Sequence, residues 1–385
     1  MNPATKELIT VLIVDDSPFM RITLQKILNQ DPEIKVLDTA RDGREGIEKL
    51  QTLHPQVITM DVEMPVMNGL QALDEIMRWQ PTPVIILSSV TTEGTQATIK
   101  ALEYGAFDIV AKPSGKPGDD LQVLAQDLIE KVKGAAHVDP TRLGKKRTPV
   151  RTTLKNSPPT FAQSSAVNNL NRTQSQPSRA GASNRSLSYP KHPVEIVAIG
   201  TSTGGPSALQ TVLPQLPANF PVPVIVAQHM PPGFTGPLAQ RLNGLCALNV
   251  REGINGEPLK AGTVYVAPAG KQIQVVRRTG QLLLQIGDES PISTLYHPSV
   301  DVMFLSLAKE VGKRALGVVM TGMGNDGLKG MREIKALEGF AIAEAEETCV
   351  VYGMPRSIVD AGLADRVVPL GEIGHVIVEC VQRKE

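Results

Sequence analysis

The chain has 385 residues, of which 41% are hydrophobic and 3% aromatic, and its 39 Lys and Arg balance 39 Asp and Glu for a formal net charge of +0. This length allows two or three domains with ordinary hydrophobic cores. No apolar run approaches the roughly 20 residues that a membrane-spanning helix needs, the N-terminus has no apolar signal-peptide core, and three scattered cysteines are too few for a disulfide framework or a metal cluster. We therefore expect a cytoplasmic protein without membrane insertion.

Between residues 8 and 133, apolar segments typical of strands alternate with amphipathic segments typical of helices. The strand-like segments read TVLIVDD, KVLDTA, PQVITMD, TPVIILSS and AFDIVAKP. The helix-like segments read SPFMRITLQKILNQ, GREGIEKLQTL, GLQALDEIMRW, QATIKALEYG and DDLQVLAQDLIEKVKGAA. Continuous apolar strands that are each followed by a helix are typical of a parallel sheet with both faces covered. The pattern predicts five β/α units.

Four of these strands end in polar side chains, which a parallel sheet would bring to one edge. They are Asp15 with Asp16, Asp61, Ser88 and Lys112. Converging carboxylates repel one another and favour a divalent cation, and their hard oxygen ligands indicate Mg²⁺. A lysine would neutralise charge added to a carboxylate, and a serine hydroxyl would hydrogen-bond the new oxyanion, so the group is typical of a site that accepts a phosphoryl group. The alternative is that the acids only cap the helices that follow them.

Residues 8 to 133 resemble a response-regulator receiver domain. The motifs that carry the resemblance are VDDS at 14–17, MDVEMPVMNG at 60–69, LSS at 87–89 and AKP at 111–113. The resemblance implies a flavodoxin-like (βα)5 fold in which Asp61 accepts the phosphoryl group. Asp16 would be the main Mg²⁺ ligand, assisted by Asp15 and by Asp61 itself. Ser88 would be the switch hydroxyl, and Lys112 would be the partner of the phosphate.

A change in composition follows this domain. From Val138 to His192 the sequence is rich in Ser, Thr, Asn and Pro, has no apolar periodicity, and carries ten Lys and Arg against one Asp. Such a segment buries too little apolar surface to offset the entropy of ordering, so we predict a flexible basic linker over residues 134–192. A basic tract also suits nucleic acid or anionic lipid, but the scarcity of aromatic residues favours a solvated tether. No helix-turn-helix pattern follows it, and we expect no nucleic-acid partner.

The segment from 193 to 385 again alternates strands and helices. We predict strands at 194–199, VPVIVAQH, ALGVVMTG and FAIAEAEE, and helices at 206–213, about 235–245, HPSVDVMFLSLAKEVG and LKGMREIKALEG. Between them, GTVYVAP, KQIQVVRR and QLLLQIG are interpreted as short antiparallel strands joined by glycine turns. The pattern predicts a second α/β, doubly wound domain with an antiparallel β insertion.

The first strand of this domain runs into Gly200-Thr201-Ser202-Thr203-Gly204, which fits the G-x-S-x-G pattern of a nucleophile elbow. A nucleophilic serine needs a base within hydrogen-bond reach, an acid that orients the base, and amide donors for the oxyanion. His229 ends the next strand and Asp326 follows a later one, so a parallel sheet would bring both to Ser202. The N–H groups that follow Ser202, beginning with Thr203, would point toward the same space.

Other interpretations of these residues remain open. A glycine-rich turn before a helix also suits a loop that holds a phosphate, although the chain has neither a Walker pattern nor a strand-end acid spaced for a ribose. His229 alone is more often a structural residue, and Asp326 alone suits a turn or a cap. His297, with Asp301 nearby, is a competing base, although its position favours capping a helix.

Five motifs in the C-terminal segment resemble the catalytic domain of the chemotaxis protein-glutamate methylesterases. They are IGTSTGGP, QHMPPGFT, HPSVDVMF, TGMGNDG and GMPRSI, and they occur in this order behind the receiver-like domain. The resemblance covers nearly all of residues 194 to 380 and implies Ser202 as nucleophile, His229 as base and Asp326 as orienting acid. Thr203 and Met323 would lie at the oxyanion site, and ester hydrolysis would need no cofactor.

The sequence departs from these two families at three points. Many receivers carry an aromatic switch residue three positions before the lysine, where this chain has Ile109. Thr201 stands where the methylesterases often have Ala, directly before the nucleophile. The predicted linker is also longer than the short connectors we expect.

Together the motifs predict a monomeric, two-domain hydrolase that phosphorylation regulates. Its substrates would be glutamate methyl esters, and particular glutamines, on methyl-accepting chemoreceptors, and a chemotaxis histidine kinase would donate the phosphoryl group. The unphosphorylated receiver would cover the esterase site, and phosphorylation at Asp61 would uncover it. The alternative from another class is a receiver tethered to a non-catalytic module that binds anions or nucleotides.

Overall fold

The computed structural model describes residues 8–113, 119–140, 143 and 188–383. Most of the segment predicted to be a basic linker, including residues 144–187, lies outside these ranges. Residues on both sides of the segment belong to one compact unit. We call β1 to α5 the N-terminal lobe and β6 to α11 the C-terminal lobe.

The N-terminal lobe is a five-stranded parallel sheet with strand order β2-β1-β3-β4-β5. Its strands are β1 (Ile9–Val14), β2 (Ile34–Ala40), β3 (Val57–Asp61), β4 (Val84–Ser88) and β5 (Asp108–Ala111). The helices are α1 (Pro18–Leu28), α2 (Gly43–Leu53), α3 (Gly69–Trp79), α4 (Thr92–Glu103) and α5 (Asp119–Ala136). Strands β3 and β4 are buried along their whole length, as a sheet covered on both faces requires. The predicted (βα)5 fold is confirmed.

The C-terminal lobe contains a seven-stranded sheet with strand order β14-β13-β12-β6-β7-β9-β8. Its strands are β6 (Ile196–Thr201), β7 (Val224–Gln228), β8 (Asn249–Glu252), β9 (Thr263–Val266), β12 (Ala315–Val319), β13 (Phe340–Glu344) and β14 (Arg366–Val368). All neighbouring strands in it pair in parallel. A separate antiparallel pair is formed by β10 (Gln272–Arg278) and β11 (Gln281–Gly287). The predicted α/β sheet with an antiparallel insertion is confirmed.

Six α-helices belong to the C-terminal lobe within the ranges that the structure describes. They are α6 (Gly205–Val212), α7 (Thr235–Asn243), α8 (Val300–Glu310), α9 (Leu328–Ala336), α10 (Met354–Asp360) and α11 (Leu370–Gln382). None of the helices in these ranges is long and apolar enough to cross a membrane.

The prediction that GTVYVAP forms an antiparallel strand is wrong. It forms β9, which pairs in parallel with both β7 and β8 inside the main sheet. All four of its residues are buried, which is typical of a parallel strand with helices or chain on both faces. In β11, by contrast, buried and more exposed residues alternate through most of its length, and this strand does belong to the antiparallel pair.

The two lobes pack directly against each other. Helix α4 contacts α6 and α7, and one buried apolar cluster extends from the N-terminal sheet into the core of the C-terminal lobe. Val350 and Val351 of the C-terminal lobe pack against a second N-terminal cluster. The loops at the carboxyl end of the C-terminal sheet therefore meet the N-terminal lobe.

Candidate active site

The turn that carries Ser202 lies between β6 and α6. Ser202 directly follows the last residue of β6, and Gly204 has a left-handed backbone with φ 77° before α6 begins at Gly205. The Ser202 N–H donates to the Thr321 carbonyl at 3.0 Å, and the Ser202 carbonyl accepts from Gly205 N at 2.8 Å. A side chain at 205 would collide with Gln228 and Thr201. The glycines of the motif are therefore needed to form this tight turn, which leaves Ser202 partly exposed.

His229 and Asp326 follow the strands on either side of β6, the strand that leads into Ser202. His229 follows β7, and its backbone N–H donates to the Thr201 carbonyl at 3.1 Å. Asp326 lies in the loop after β12, and its Oδ2 is 2.8 Å from His229 Nε2. The structure thus brings the three residues predicted from the motifs to one edge of the sheet.

The hydrogen bonding around His229 assigns a role to each ring nitrogen. Because Asp326 is an acceptor, the proton of the neutral ring belongs on Nε2. Nδ1 is buried and has no hydrogen-bond partner among the described residues. Its lone pair is therefore free to accept a proton. The Tyr296 ring stacks on the imidazole with centroids 4.2 Å apart and planes at 5°, which fixes the ring's plane.

Asp326 sits where several donors converge at the start of α8. Its Oδ1 accepts from Ser299 Oγ at 2.9 Å and Asp301 N at 3.0 Å. Its Oδ2 also accepts from Val300 N at 2.6 Å. Burial alone would raise the pKa of Asp326, but the bonds and charge interaction with His229 and these N–H groups hold the pKa below its usual value. The carboxylate therefore stays ionised beside the histidine.

His297, the competing base, is not part of this arrangement. Its side chain is exposed, and Asp326 bonds His229 instead. The expectation that His297 caps a helix is wrong. Ser299 caps α8, because its hydroxyl accepts from Val302 N.

Thr203 and Met323, predicted at the oxyanion site, both lie against the N-terminal lobe. Thr203 is 2% exposed, and its hydroxyl donates to Asp108 of β5. Met323 lies against Gly134 of α5: a Cβ added to Gly134 would be 2.7 Å from the Met323 sulfur. The turn that carries Ser202 and the loop that carries Asp326 are thus both in contact with the first lobe.

A second group of polar residues meets at the carboxyl edge of the N-terminal sheet. One carboxylate oxygen from each of Asp15, Asp16 and Asp61 lies within 4.8 Å of the others. Lys112 Nζ is 2.9 Å from Asp15 Oδ2 and 2.7 Å from Asp61 Oδ2. Burial and the charge of Asp15 raise the pKa of Asp61 against the effect of Lys112. A cation bound beside Asp61 would stabilise the ionised form of its carboxyl group.

Helix capping does not account for these acids. Helix α1 is capped by the Ser17 side chain, and α3 by Asn68, seven residues beyond Asp61. Ser88, at the end of β4, is 1% exposed and accepts a 2.6 Å hydrogen bond from Thr98 Oγ1. Together with Asp16, Asp61 and Lys112 it lines a cleft of about 300 Å³. Ile109, which stands where many receivers have an aromatic switch residue, is buried with 1% exposure.

Three residues of the active-site region were not predicted. Tyr296 stacks on the histidine, and the Thr321 carbonyl accepts from Ser202 N. The Glu344 carboxylate accepts a 2.8 Å hydrogen bond from the Thr321 backbone N–H. Glu344 did carry a signal, since it is an acid at the end of a buried strand. Tyr296 carried none, because it lies in a loop.

Comparisons with known proteins match both lobes. The family described as CheB methylesterase matches residues 197–377, and the response regulator receiver domain family matches residues 11–122. A protein-glutamate methylesterase/protein-glutamine glutaminase of Desulfitobacterium hafniense is 71% identical over 98% of this chain and 99% of its own. A protein of the same name from Nitratidesulfovibrio vulgaris is 46% identical over 96% and 98% of the two chains.

Solved structures of similar proteins cover the lobes separately. The CheB methylesterase catalytic domain of Thermotoga maritima is 41% identical, with a TM-score of 0.47 over 49% of this chain and 99% of that one. The response regulator domain of Thermotoga maritima CheB is 48% identical, with a TM-score of 0.33 over 35% and 100% of the two chains.

Proposed function

The chain belongs to the family of CheB-type protein-glutamate methylesterases/protein-glutamine glutaminases, and from that premise we propose that Ser202, His229 and Asp326 form its catalytic triad. The protein is a phosphorylation-regulated serine hydrolase that acts on glutamate methyl esters, and on certain glutamines, of chemoreceptors. The observation that carries the assignment is the state of His229, whose Nε2 is bound 2.8 Å from Asp326 while the buried Nδ1 has no partner among the described residues.

The chemistry follows from that arrangement. Ser202 Oγ attacks the ester carbonyl carbon while its proton moves to His229 Nδ1. The charge on the imidazolium is stabilised by Asp326. Backbone N–H groups at Thr203 and Met323 would stabilise the oxyanion. The histidine then gives its proton to the departing methoxide, so methanol leaves and an acyl-enzyme remains. Water, deprotonated by the same histidine, then attacks the acyl carbon; the bond to Ser202 Oγ breaks, the histidine returns the proton to this oxygen, and the glutamate carboxylate is released. From glutamine, ammonia leaves in place of methanol.

The receiver site supports phosphorylation at Asp61. Mg²⁺ would be held by Asp15, Asp16 and Asp61, whose carboxylate oxygens are the ligands that this ion prefers. When bound, it would neutralise charge on the transferring phosphoryl group. Lys112 already contacts the Asp61 carboxylate at 2.7 Å and would bind the added phosphate. The buried Ser88 hydroxyl would exchange its contact with Thr98 for one with the phosphate.

Inhibition by the unphosphorylated receiver is part of the same proposal. Residues of β5 and α5 contact Thr203 and Met323, on either side of the catalytic centre. Leu102 of α4 accepts a hydrogen bond from Ser207 Oγ of α6 at 3.1 Å. A protein substrate and the receiver would therefore compete for the same surface. Phosphorylation would weaken these contacts and open the site.

The domain boundaries and partners complete the proposal. We assign residues 8–133 to the receiver, 134–192 to the linker and 193–385 to the esterase, in a monomer. Methyl-accepting chemoreceptors are the substrates, and a chemotaxis histidine kinase is the phosphodonor. The reaction would take place in the cytoplasm, which agrees with three cysteines that form no disulfide.

Methanol release from methylated receptor membranes tests the triad. Ser202→Ala should abolish the release without loss of folding, because a partly exposed turn hydroxyl contributes little packing. His229→Gln should behave almost the same, and Asp326→Asn should leave some activity, since the orienting acid is often the least costly member to lose. Methanol release by Ser202→Ala at the wild-type rate would instead favour a non-catalytic binding module.

A further inference from the structure

Glu344 is a buried acid that the reaction described above does not use. It is the last residue of β13 and is 0% exposed. Burial raises its pKa to about 7, even though the Thr321 backbone and the side chains of Thr348 and Cys349 donate hydrogen bonds to it. A buried carboxyl group is costly to keep in a core. An apolar side chain of similar size would avoid this cost but would offer no acceptor to the neighbouring donors.

The carboxyl group connects a backbone N–H after β12 with a side-chain hydroxyl after β13. Its Oε2 accepts from Thr321 N at 2.8 Å, and its Oε1 accepts from Thr348 Oγ1 at 3.0 Å. Thr321 is 1% exposed and follows β12, the strand that lies beside β6 in the sheet. Glu344 thus holds the backbone just beyond the end of the neighbouring strand.

Thr321 in turn is hydrogen-bonded to all three residues of the turn, 201 to 203. Its carbonyl accepts from Ser202 N at 3.0 Å and from Thr201 Oγ1 at 2.9 Å. Its hydroxyl donates to the Thr203 carbonyl at 2.9 Å. Any movement of Thr321 would therefore be passed directly to the turn that presents the serine.

The next residue adds a steric contact to these hydrogen bonds. A Cβ added to Gly322 would lie 2.8 Å from Ser202 Cβ, so the Gly322 backbone lies directly against the nucleophile. The backbone of Thr321 and Gly322 therefore supports Ser202 directly. A displacement of about 1 Å at a reacting group costs on the order of a hundredfold in rate, so the position of this backbone segment matters to catalysis.

We propose that Glu344 is a positioning residue for the nucleophile, acting through the Thr321 N–H to fix the turn that carries Ser202; the proposal rests on the function proposed above. An apolar side chain in its place would leave the Thr321 N–H unpaired in a dry interior. The loop would shift to find another partner and would carry residues 201–203 with it. Because Glu344 does not face the substrate, the loss falls on kcat and not on KM.

The test uses the full-length protein, phosphorylated with acetyl phosphate, and measures initial methanol release over a range of methylated receptor membranes. Glu344→Met keeps the side-chain volume but removes the acceptor, and should lower kcat about tenfold or more with KM within about twofold. Glu344→Gln keeps an acceptor oxygen for Thr321 and should stay within about threefold of wild-type kcat. A folded Glu344→Met protein with wild-type kcat, or a loss confined to KM, overturns the proposal.

A second comparison decides the question if Glu344→Met does not fold. Glu344→Asp keeps the charge but shortens the side chain, so it should lose more kcat than the neutral Glu344→Gln. If the kcat of Glu344→Asp equals or exceeds that of Glu344→Gln, the charge matters and the side-chain length that reaches the Thr321 N–H does not, and the proposal fails.

Two controls separate this inference from its premise and from general loss of stability. Ile342→Val lies on the same strand and face as Glu344, and should lower the Tm while kcat remains unchanged. A kcat loss in Ile342→Val equal to that of Glu344→Met would show that kcat follows stability and would overturn the proposal. Ser202→Ala in the same assay tests the triad alone, since it should be inactive whatever the Glu344 variants do.

Discussion

Asp326, which is hydrogen-bonded to His229, is itself held by fixed donors. Ser299 Oγ, Val300 N and Asp301 N, all at the start of α8, donate to its two oxygens at 2.6–3.0 Å. These donors stay in place when His229 becomes charged, so the site does not need to reorganise during the reaction. The proposed triad, in the order Ser…His…Asp along the chain, would divide the roles as in other serine hydrolases, because such triads are recognised by geometry and not by sequence order.

Magnesium should be essential for labelling of Asp61 by a small phosphodonor. Among the residues that the structure describes, Lys112 places one positive charge within 3 Å of Asp15 and Asp61. A single lysine does not balance three carboxylates and an incoming phosphoryl group. We expect acetyl phosphate to label the protein only with Mg²⁺, and EDTA or Asp61→Asn to abolish the labelling. Asp74→Asn, an exposed acid on α3, is the matched control and should be labelled normally. Labelling that persists in EDTA would contradict the assigned metal site.

Glu344 should give the protein a stability that depends on pH. Burial raises its pKa from 4.5 to about 7, so the folded protein binds a proton that the unfolded chain releases between these values. The contribution is fully present below about pH 4.5 and is lost as the pH rises through 7. A shift of this size corresponds to about 3 kcal/mol. Thermal unfolding at pH 5 and pH 8 should show the Tm of Glu344→Gln rising relative to wild type at the higher pH. If the Tm of wild type and the Tm of Glu344→Gln change equally between the two pH values, Glu344 does not make this contribution.

At the scale of helices and strands, the N-terminal lobe could be predicted from its sequence because its strands are apolar and its first four helices begin at strong caps. Ser17, Asp42, Asn68 and Thr91 all accept from backbone N–H groups at those helix starts. The middle of the C-terminal lobe was harder, since β9 has only four residues and its direction depends on its neighbours. Helix α10 and strand β14, with seven and three residues, are too short for a periodic pattern.

Charge reversal on α7 should weaken the packing of the receiver on the esterase. Arg241 of α7 pairs with Glu103 at the end of α4. Arg241→Glu places two acids together and should raise methanol release by the unphosphorylated protein about two- to fivefold, because an exposed pair contributes up to about 1 kcal/mol. The rate after phosphorylation should stay the same. Arg44→Glu, which reverses a surface pair between α2 and α3, is the control and should leave both rates unchanged. Equal rates for wild type and Arg241→Glu would mean that this contact does not inhibit.

At the scale of the whole molecule, the motifs predict residues that the sheet does place at one edge, but they do not predict which surface of the other lobe packs against that edge. Ser202, His229 and Asp326 each follow a strand of one sheet, so adjacency in the sheet is enough to bring them to the same edge. The contacts of Asp108 with Thr203 and of Gly134 with Met323 join residues 95 or more positions apart on different lobes. No local pattern encodes such contacts, because they depend on the complementary shapes of two finished surfaces.

Removing the receiver should release the esterase and abolish its response to phosphate. All triad residues and Glu344 lie beyond residue 193, so deleting residues 1–187 keeps the catalytic lobe and retains Tyr189, which packs 4.0 Å from the Arg383 guanidinium. A tethered receiver competes at an effective concentration on the order of millimolar, and the deletion removes this competition. We expect methanol release about tenfold or more above that of the unphosphorylated full-length protein, with no change on adding acetyl phosphate. The same deletion carrying Ser202→Ala should be inactive. If the deleted protein is no faster than the unphosphorylated full chain, covering does not inhibit, and the receiver must instead stimulate the phosphorylated enzyme directly.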